Sequence, residues 1–99
     1  MDELTRLQVW YTAQCNGDWE HSYGVRIDTL DNPGWSVEVD LKDTHLARRA
    51  FPVGVKGSSE VATSWVHCKV EAAKFHGFGG AGDLTEILST FLTWAESDV

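Results

Sequence analysis

The stretch Tyr23-Gly24-Val25-Arg26-Ile27-Asp28-Thr29-Leu30-Asp31-Asn32-Pro33-Gly34-Trp35-Ser36-Val37-Glu38-Val39-Asp40-Leu41 decides the fold of this chain. Tyr23, Val25, Ile27 and Thr29 alternate with Gly24, Arg26 and Asp28; beyond the turn, Val37, Val39 and Leu41 alternate with Ser36, Glu38 and Asp40. A period of two is that of a strand with one face buried. Between the runs, Asp31-Asn32-Pro33-Gly34 supplies turn chemistry: proline presets φ, glycine tolerates a positive φ, and Asp or Asn side chains bind the local backbone. An antiparallel hairpin follows. Val25 and Ile27 must share a face with Val37 and Val39, so facing residue numbers sum to an even value, with Ile27 opposite Val37 or Val39. That requires an odd-numbered loop or a bulge rather than a two-residue turn.

Upstream, Leu4, Leu7, Trp10 and Tyr11 recur at helical spacing, with Asp2 as N-cap and Gly17 as a stop, which predicts a helix from Glu3 to Cys15. Cys15 to Glu20 then turn the chain from helix to sheet. Downstream, Phe51, Val53 and Val55 predict a third strand, in which Pro52 suits an edge or a bulge. Lys56 to Glu60 reads as an exposed hairpin loop leading to a fourth strand, Trp65 to Val70. Val66, Cys68 and Val70 point one way in that strand, and Trp65, His67 and Lys69 the other. Asp83 and Glu86 form an N-cap and capping-box pair ahead of Leu84, Ile87, Leu88, Phe91 and Trp94, the apolar stripe of a closing helix. The order α-β-β-β-β-α predicts one α+β domain over residues 1–99, an antiparallel sheet of about four strands with both terminal helices on one face. The other face carries Arg26, Asp28, Glu38, Asp40, His67 and Lys69, with Trp65 beside them. An aromatic among charges there is either a partner-binding feature or a cover over a loop.

Bulk properties narrow the function. The 99 residues are 42% hydrophobic, with eleven per cent aromatic, which supports a folded domain of modest core rather than a disordered chain. Fifteen acidic against eight basic residues give a net charge of −7, a field that repels phosphate backbones and anionic membranes and attracts basic partners. Nucleic acid and membrane are therefore not expected as ligands. The start Met1-Asp2-Glu3-Leu4 has neither the basic residues nor the apolar run of an export signal, so a cytoplasmic location with Cys15 and Cys68 reduced is expected.

Chemical motifs are outweighed by plainer explanations. Gly77-Phe78-Gly79-Gly80-Ala81-Gly82 matches G-x-G-x-x-G, but the 17 residues after Gly82 cannot supply the helix, second parallel strand and ribose-binding acid of a dinucleotide site. It reads as a flexible glycine connection, and no cofactor is expected. Asp18, Glu20, His21 and Ser22 contain the residue types of a hydrolytic triad, yet sequence neighbours seldom converge and no G-x-S-x-G elbow accompanies them. His67 and Cys68 point to opposite faces, and His21, His45 and His76 lack metal-ligand spacing. Neither catalytic nor metal-binding residues are assigned. A small hydrolase, or a ligand-binding regulator using the glycine segment, stands as the alternative to a binding protein.

The segment Gln14-Cys15-Asn16-Gly17-Asp18-Trp19-Glu20-His21, with Tyr23-Gly24 and then Ile27-Asp28-Thr29-Leu30-Asp31-Asn32-Pro33-Gly34-Trp35, resembles the immunity protein 53 family of small bacterial immunity proteins encoded beside polymorphic toxins. The likeness extends to Phe91-Leu92-Thr93-Trp94. It implies a non-enzymatic antidote whose partner is a cognate toxin domain. A cationic toxin such as a nuclease would be drawn to so acidic a protein. The expected contact residues are Asp18, Trp19, Glu20, Asp28, Asp31, Trp35, Glu38 and Asp40. Trp10 belongs to the core stripe, while Trp19 and Trp35 are either contact anchors or turn-packing residues. Thr44 to Ser64 matches no motif and is a place where toxin specificity can vary.

Overall fold

The computed structural model describes residues 2–51, 54–56 and 64–97, the backbone alone at 54–56. The elements run α1 (Glu3–Gln14), α2 (Trp19–Ser22), β1 (Val25–Leu30), β2 (Gly34–Asp40), β3 (Gly54–Lys56), β4 (Val66–Glu71), β5 (Lys74–Gly79) and α3 (Leu84–Ala95). The hairpin forms in one of the two expected registers, Val25 facing Val39, Ile27 facing Val37 and Leu30 facing Gly34. Its loop is the odd-numbered Asp31-Asn32-Pro33, with a cis Asn32–Pro33 peptide.

The sheet is antiparallel throughout, in the order β1-β2-β5-β4-β3. The α+β architecture with terminal helices is the one expected, and the sheet is one strand wider because Lys74–Gly79 pairs between β2 and β4. This corrects the reading of the glycine-rich run: Gly77 and Gly79 lie in a central strand, and only Gly80 to Gly82 remain as connection. The reason is contact with α3. A Cβ on Gly77 would collide with Ile87 Cγ2, and one on Gly79 would lie 2.9 Å from Ile87 Cδ1. The two glycines make a flat seat on which the helix lies directly against the strand. Of the third strand expected around Phe51, Val53 and Val55, the described part is Gly54–Lys56 paired with β4; Phe51 precedes it, and Pro52 and Val53 lie outside the described residues. So does the expected loop beyond Lys56.

Helix α1 ends at Gln14, one residue short of the expected Cys15, and Asp2 caps it by accepting from the Thr5 amide at 2.8 Å. The capping box expected at α3 does not form. Asp83 occupies the N-cap position without a side-chain cap bond; its carboxylate accepts instead from Ser64 Oγ and the Trp65 amide, both at 3.0 Å. It ties the start of β4 to the start of α3.

Helix α3 buries Ile87, Leu88, Phe91, Leu92 and Ala95 against Val37, Val39, Val66, Cys68 and Phe75 of the sheet, and α1 adds Leu7 and Trp10 from the same side. Phe91 is fully buried, its ring 5.1 Å from Trp10 and 5.0 Å from Phe75 between centroids, an edge-on contact with the first and a tilted one with the second. Trp10 is thus a core residue, as expected. Its indole N–H is buried without a partner, which costs on the order of 1–3 kcal/mol. Arg6 and Glu96 bind at 2.8 Å and link the outer ends of α1 and α3.

The close seat of α3 gives a stability test. Gly77→Ala should destabilise the protein by about 1–3 kcal/mol by forcing Ile87 and Phe75 apart. Gly82→Ala, which meets open space, should leave the urea midpoint almost unchanged. Equal midpoints for both variants would show that the glycine seat is not a packing constraint.

Candidate functional site

The expected contact residues fall into three groups. Trp19 and Glu20 belong to the turn that carries the chain from α1 to β1. Trp19 is 4% exposed, its ring edge-on to those of Trp10 and Tyr11 and tilted against that of Tyr23, and its Nε1 donates to the Lys42 carbonyl at 2.9 Å. Its ring is therefore core and not a presented anchor, because the short helix α2 rolls it inward beneath the end of β2. Asn16 Oδ1 accepts from the Asp18 and Trp19 amides, and Glu20 accepts from the amides of Asn16 at 3.0 Å and Gly17 at 2.8 Å. Amide hydrogen bonds, its own first and then those of Asn16 and Gly17, hold the Glu20 carboxyl below its ordinary value against partial desolvation. Asp18 is exposed, with no cap bond from its side chain.

Asp28, Glu38 and Asp40 lie on the sheet face that no helix covers. The pairing registers set out its side chains in rows: Asp28, Ser36, Phe78 and His67; Arg26, Glu38, His76 and Lys69; and Asp40, Lys74 and Glu71. Opposite charges face one another. Lys74 Nζ lies 3.6 Å from Glu38 and 3.7 Å from Asp40, whose other oxygen accepts from the Gly24 amide at 3.0 Å. The face is therefore a mixed lattice rather than a purely acidic surface, and each exposed pair contributes at most about 1 kcal/mol. Glu20, Glu38 and Asp40 converge with His21, Arg26 and Lys74 on a polar cleft of about 270 Å³.

Asp31 and Trp35 mark the hairpin end. Asp31 is exposed. Trp35 is half-buried on the helix side of the sheet, opposite Gly79, and its Nε1 donates to the Ala81 carbonyl at 2.8 Å. Trp35 thus ties the hairpin to the β5–α3 turn and leaves part of its ring accessible.

A larger concavity lies where no motif was found. His45, Arg48, Arg49, Ala50 and Phe51 line a groove of about 1030 Å³ against Glu86, Thr90, Thr93 and Trp94 of α3. Arg49 Nη1 donates to the carbonyls of Trp94 and Ser97 at the C-terminal end of α3, and Trp94 Nε1 donates to the Ala50 carbonyl at 2.9 Å. Sequence spacing carries no signal for this, because the contacts join residues more than forty positions apart. The nearest hint was the unmatched character of Thr44 to Ser64.

The cluster Asp18, Glu20, His21 and Ser22 does not assemble a triad: both Glu20 oxygens are committed to backbone amides and no bond joins His21 to Ser22 among the described residues. Cys15 and Cys68 are free thiols, and burial pushes the Cys68 thiol up to about 11, which keeps it protonated and unreactive at neutral pH. Among the described residues no cluster of three His, Cys, Asp or Glu could hold a metal, and no helix is long and apolar enough to cross a membrane.

A carboxyl held low in the folded state adds stability above its unfolded value of 4.5, and that stability is lost as pH falls through the lower folded value. Between about pH 6 and about pH 3 the melting temperature should fall further in the native protein than in Glu20→Gln. Parallel pH profiles would show that the Asn16–Gly17 amides do not bind the charged form.

No curated protein and no solved structure matches this chain. A family match does exist, and it runs over residues 4–96, from α1 through the aromatic turn and the hairpin to the end of α3. It covers every described strand and helix but for the first residue of α1, and the chain belongs to the immunity protein 53 family.

Proposed function

We propose that this protein neutralises a cognate bacterial toxin domain by binding it without catalysis, and that the toxin is basic, a nuclease being the type that fits best. The observation that carries this reading is membership of the immunity protein 53 family by a chain of net charge −7. A nuclease gathers Lys and Arg to hold phosphates. The surplus negative charge of its inhibitor then speeds association and disfavours acidic partners.

The proposed contact residues are Asp18, Asp28, Asp31, Glu38 and Asp40, with Trp35 contributing the accessible part of its ring. Glu20 and Trp19 serve that surface from behind, by holding the turn on which Asp18 sits. Glu38 and Asp40 share Lys74, so they offer less free charge than Asp18 and Asp31. The basic and aromatic groove beside α3 widens the choice of contacts, and its loop, residues 45–51, is where relatives can differ in toxin preference without disturbing the sheet.

Co-expression with the toxin domain encoded beside its gene should restore growth and yield a stoichiometric complex on purification. Asp18→Lys combined with Asp31→Lys should slow association by about tenfold at low salt, with a smaller effect at high salt. Neither side chain holds a bond within the described residues, so the fold should be unaffected. Growth protection without a physical complex would overturn the binding mechanism, and association insensitive to both salt and these charges would overturn the basic-toxin reading.

A further inference from the structure

Strand β1 is at the edge of the sheet, and the register states which of its backbone groups face outward. The Asp40 amide donates to the Gly24 carbonyl at 3.0 Å, so even-numbered residues of this strand make the bonded pairs with β2: Arg26 with Glu38, Asp28 with Ser36, Leu30 with Gly34. Val25, Ile27 and Thr29 therefore turn their N–H and C=O groups away from the sheet. Among the described residues nothing pairs with them. An edge of this length is ordinarily blunted by charged side chains, proline or a bulge. The sequence Val25-Arg26-Ile27-Asp28-Thr29-Leu30 has no proline, its register with β2 is unbroken, and its two charges, Arg26 and Asp28, are of opposite sign.

We propose that β1 pairs with β1 of a second copy of this chain, making an antiparallel dimer with a continuous ten-stranded sheet. The charges select the register. Pairing the outward amides of two copies allows the two-fold axis to fall at Arg26, Ile27 or Asp28 near the strand centre. An axis at Arg26 sets two arginines opposite one another, and an axis at Asp28 sets two aspartates opposite one another. With the axis at Ile27, Val25 of each copy bonds across to Thr29 of the other and Ile27 to Ile27, three bonded pairs that make six backbone hydrogen bonds. Arg26 of each copy then faces Asp28 of the other, in the closer, non-bonded positions where side chains meet best. Opposite charges two residues apart, which would deter a foreign strand, thus complete each other in a symmetric pair.

The flanking surface fits the same partner. On the helix side Val25 and Ile27 are half-buried, and Leu7, Gln8, Tyr11, Gly24 and Val25 border a depression of about 310 Å³ between α1 and the edge. Leu4 and Tyr11 share one face of α1 with Gln8 and are 59% and 37% exposed. A second copy joined at β1 brings its own α1 to this side and covers that apolar stripe. Asp28 then belongs to the self-interface, and the toxin contact falls to the other carboxylates. This inference does not depend on the identity of the toxin.

Sedimentation velocity on the intact chain alone should show a species of twice the 11.0 kDa monomer mass growing as concentration rises. Arg26→Asp and Asp28→Arg should each weaken the dimer by about tenfold or more, since each turns both cross-copy pairs into like-charge pairs. The double variant Arg26→Asp/Asp28→Arg should restore it. Because Arg26 also faces Glu38, thermal unfolding of each variant checks that the monomer remains folded. Ile27→Pro removes an outward amide without breaking a bond to β2 and should leave only monomer. Hydrogen exchange supplies a readout on the native chain: the Val25, Ile27 and Thr29 amides should become protected as concentration rises. A monomer at every concentration, a dimer unaffected by Ile27→Pro, or a double variant no better than the single ones would overturn the proposal.

Discussion

The structure depends on the contact between Phe91 and its surroundings. This ring is fully buried and meets Trp10 of α1, Phe75 of the central strand β5 and Trp94 of its own helix. Replacing such a residue by alanine costs about 3–5 kcal/mol, a large share of the stability of a domain this size. The contact is reached only because α3 comes down onto glycine: Gly77 and Gly79 leave room for Ile87, which brings Phe91 within range of Phe75. Packing at this point joins helix α1, helix α3 and the sheet.

Placing every long helix on one side has a consequence for function. The other face of the sheet and the β1 edge stay open, and their polar groups must be satisfied by one another, by water or by a partner. On the face, the rows of Arg26, Glu38, His76 and Lys69 and of Asp40, Lys74 and Glu71 largely neutralise each other. Surplus negative charge is left at the periphery, where Asp18 and Asp31 sit on turns. Turns at the rim of a rigid sheet are where a binding protein can vary its contacts without altering its core.

Trp19 and Trp35, which the sequence left open between contact anchors and turn packing, both fasten turns, and Trp94 of the α3 stripe does the same. Trp19 closes the α1–β1 turn through the Lys42 carbonyl, Trp35 closes the β5–α3 turn through the Ala81 carbonyl, and Trp94 fixes the segment ahead of β3 through the Ala50 carbonyl. Each indole N–H reaches a backbone acceptor far away in sequence. A large ring with one donor suits that task, since it fills space and satisfies a carbonyl in the same act. The rings of Trp19, Trp35 and Trp94 thus mainly fix how the chain turns.

By itself the sequence determined the hairpin and narrowed it to an odd-numbered loop or a bulge with Ile27 opposite Val37 or Val39, because strand period and turn chemistry are local and admit few registers; the structure takes the first of each. The sequence likewise determined α1 with its Asp2 cap and the apolar stripe of α3, and its aromatic motifs were enough to indicate the family. Only the tertiary structure decided that Lys74–Gly79 is a central strand. Glycine carries no side chain to mark an inward position, and the residue that requires the glycines, Ile87, is on another element. Tertiary structure also redirected Asp83 from its own helix to Ser64 and Trp65, buried Trp19, and formed the groove beside Phe51 and Trp94. Each of these outcomes joins residues distant in sequence, where local pattern has no information and the geometry of packing makes the choice.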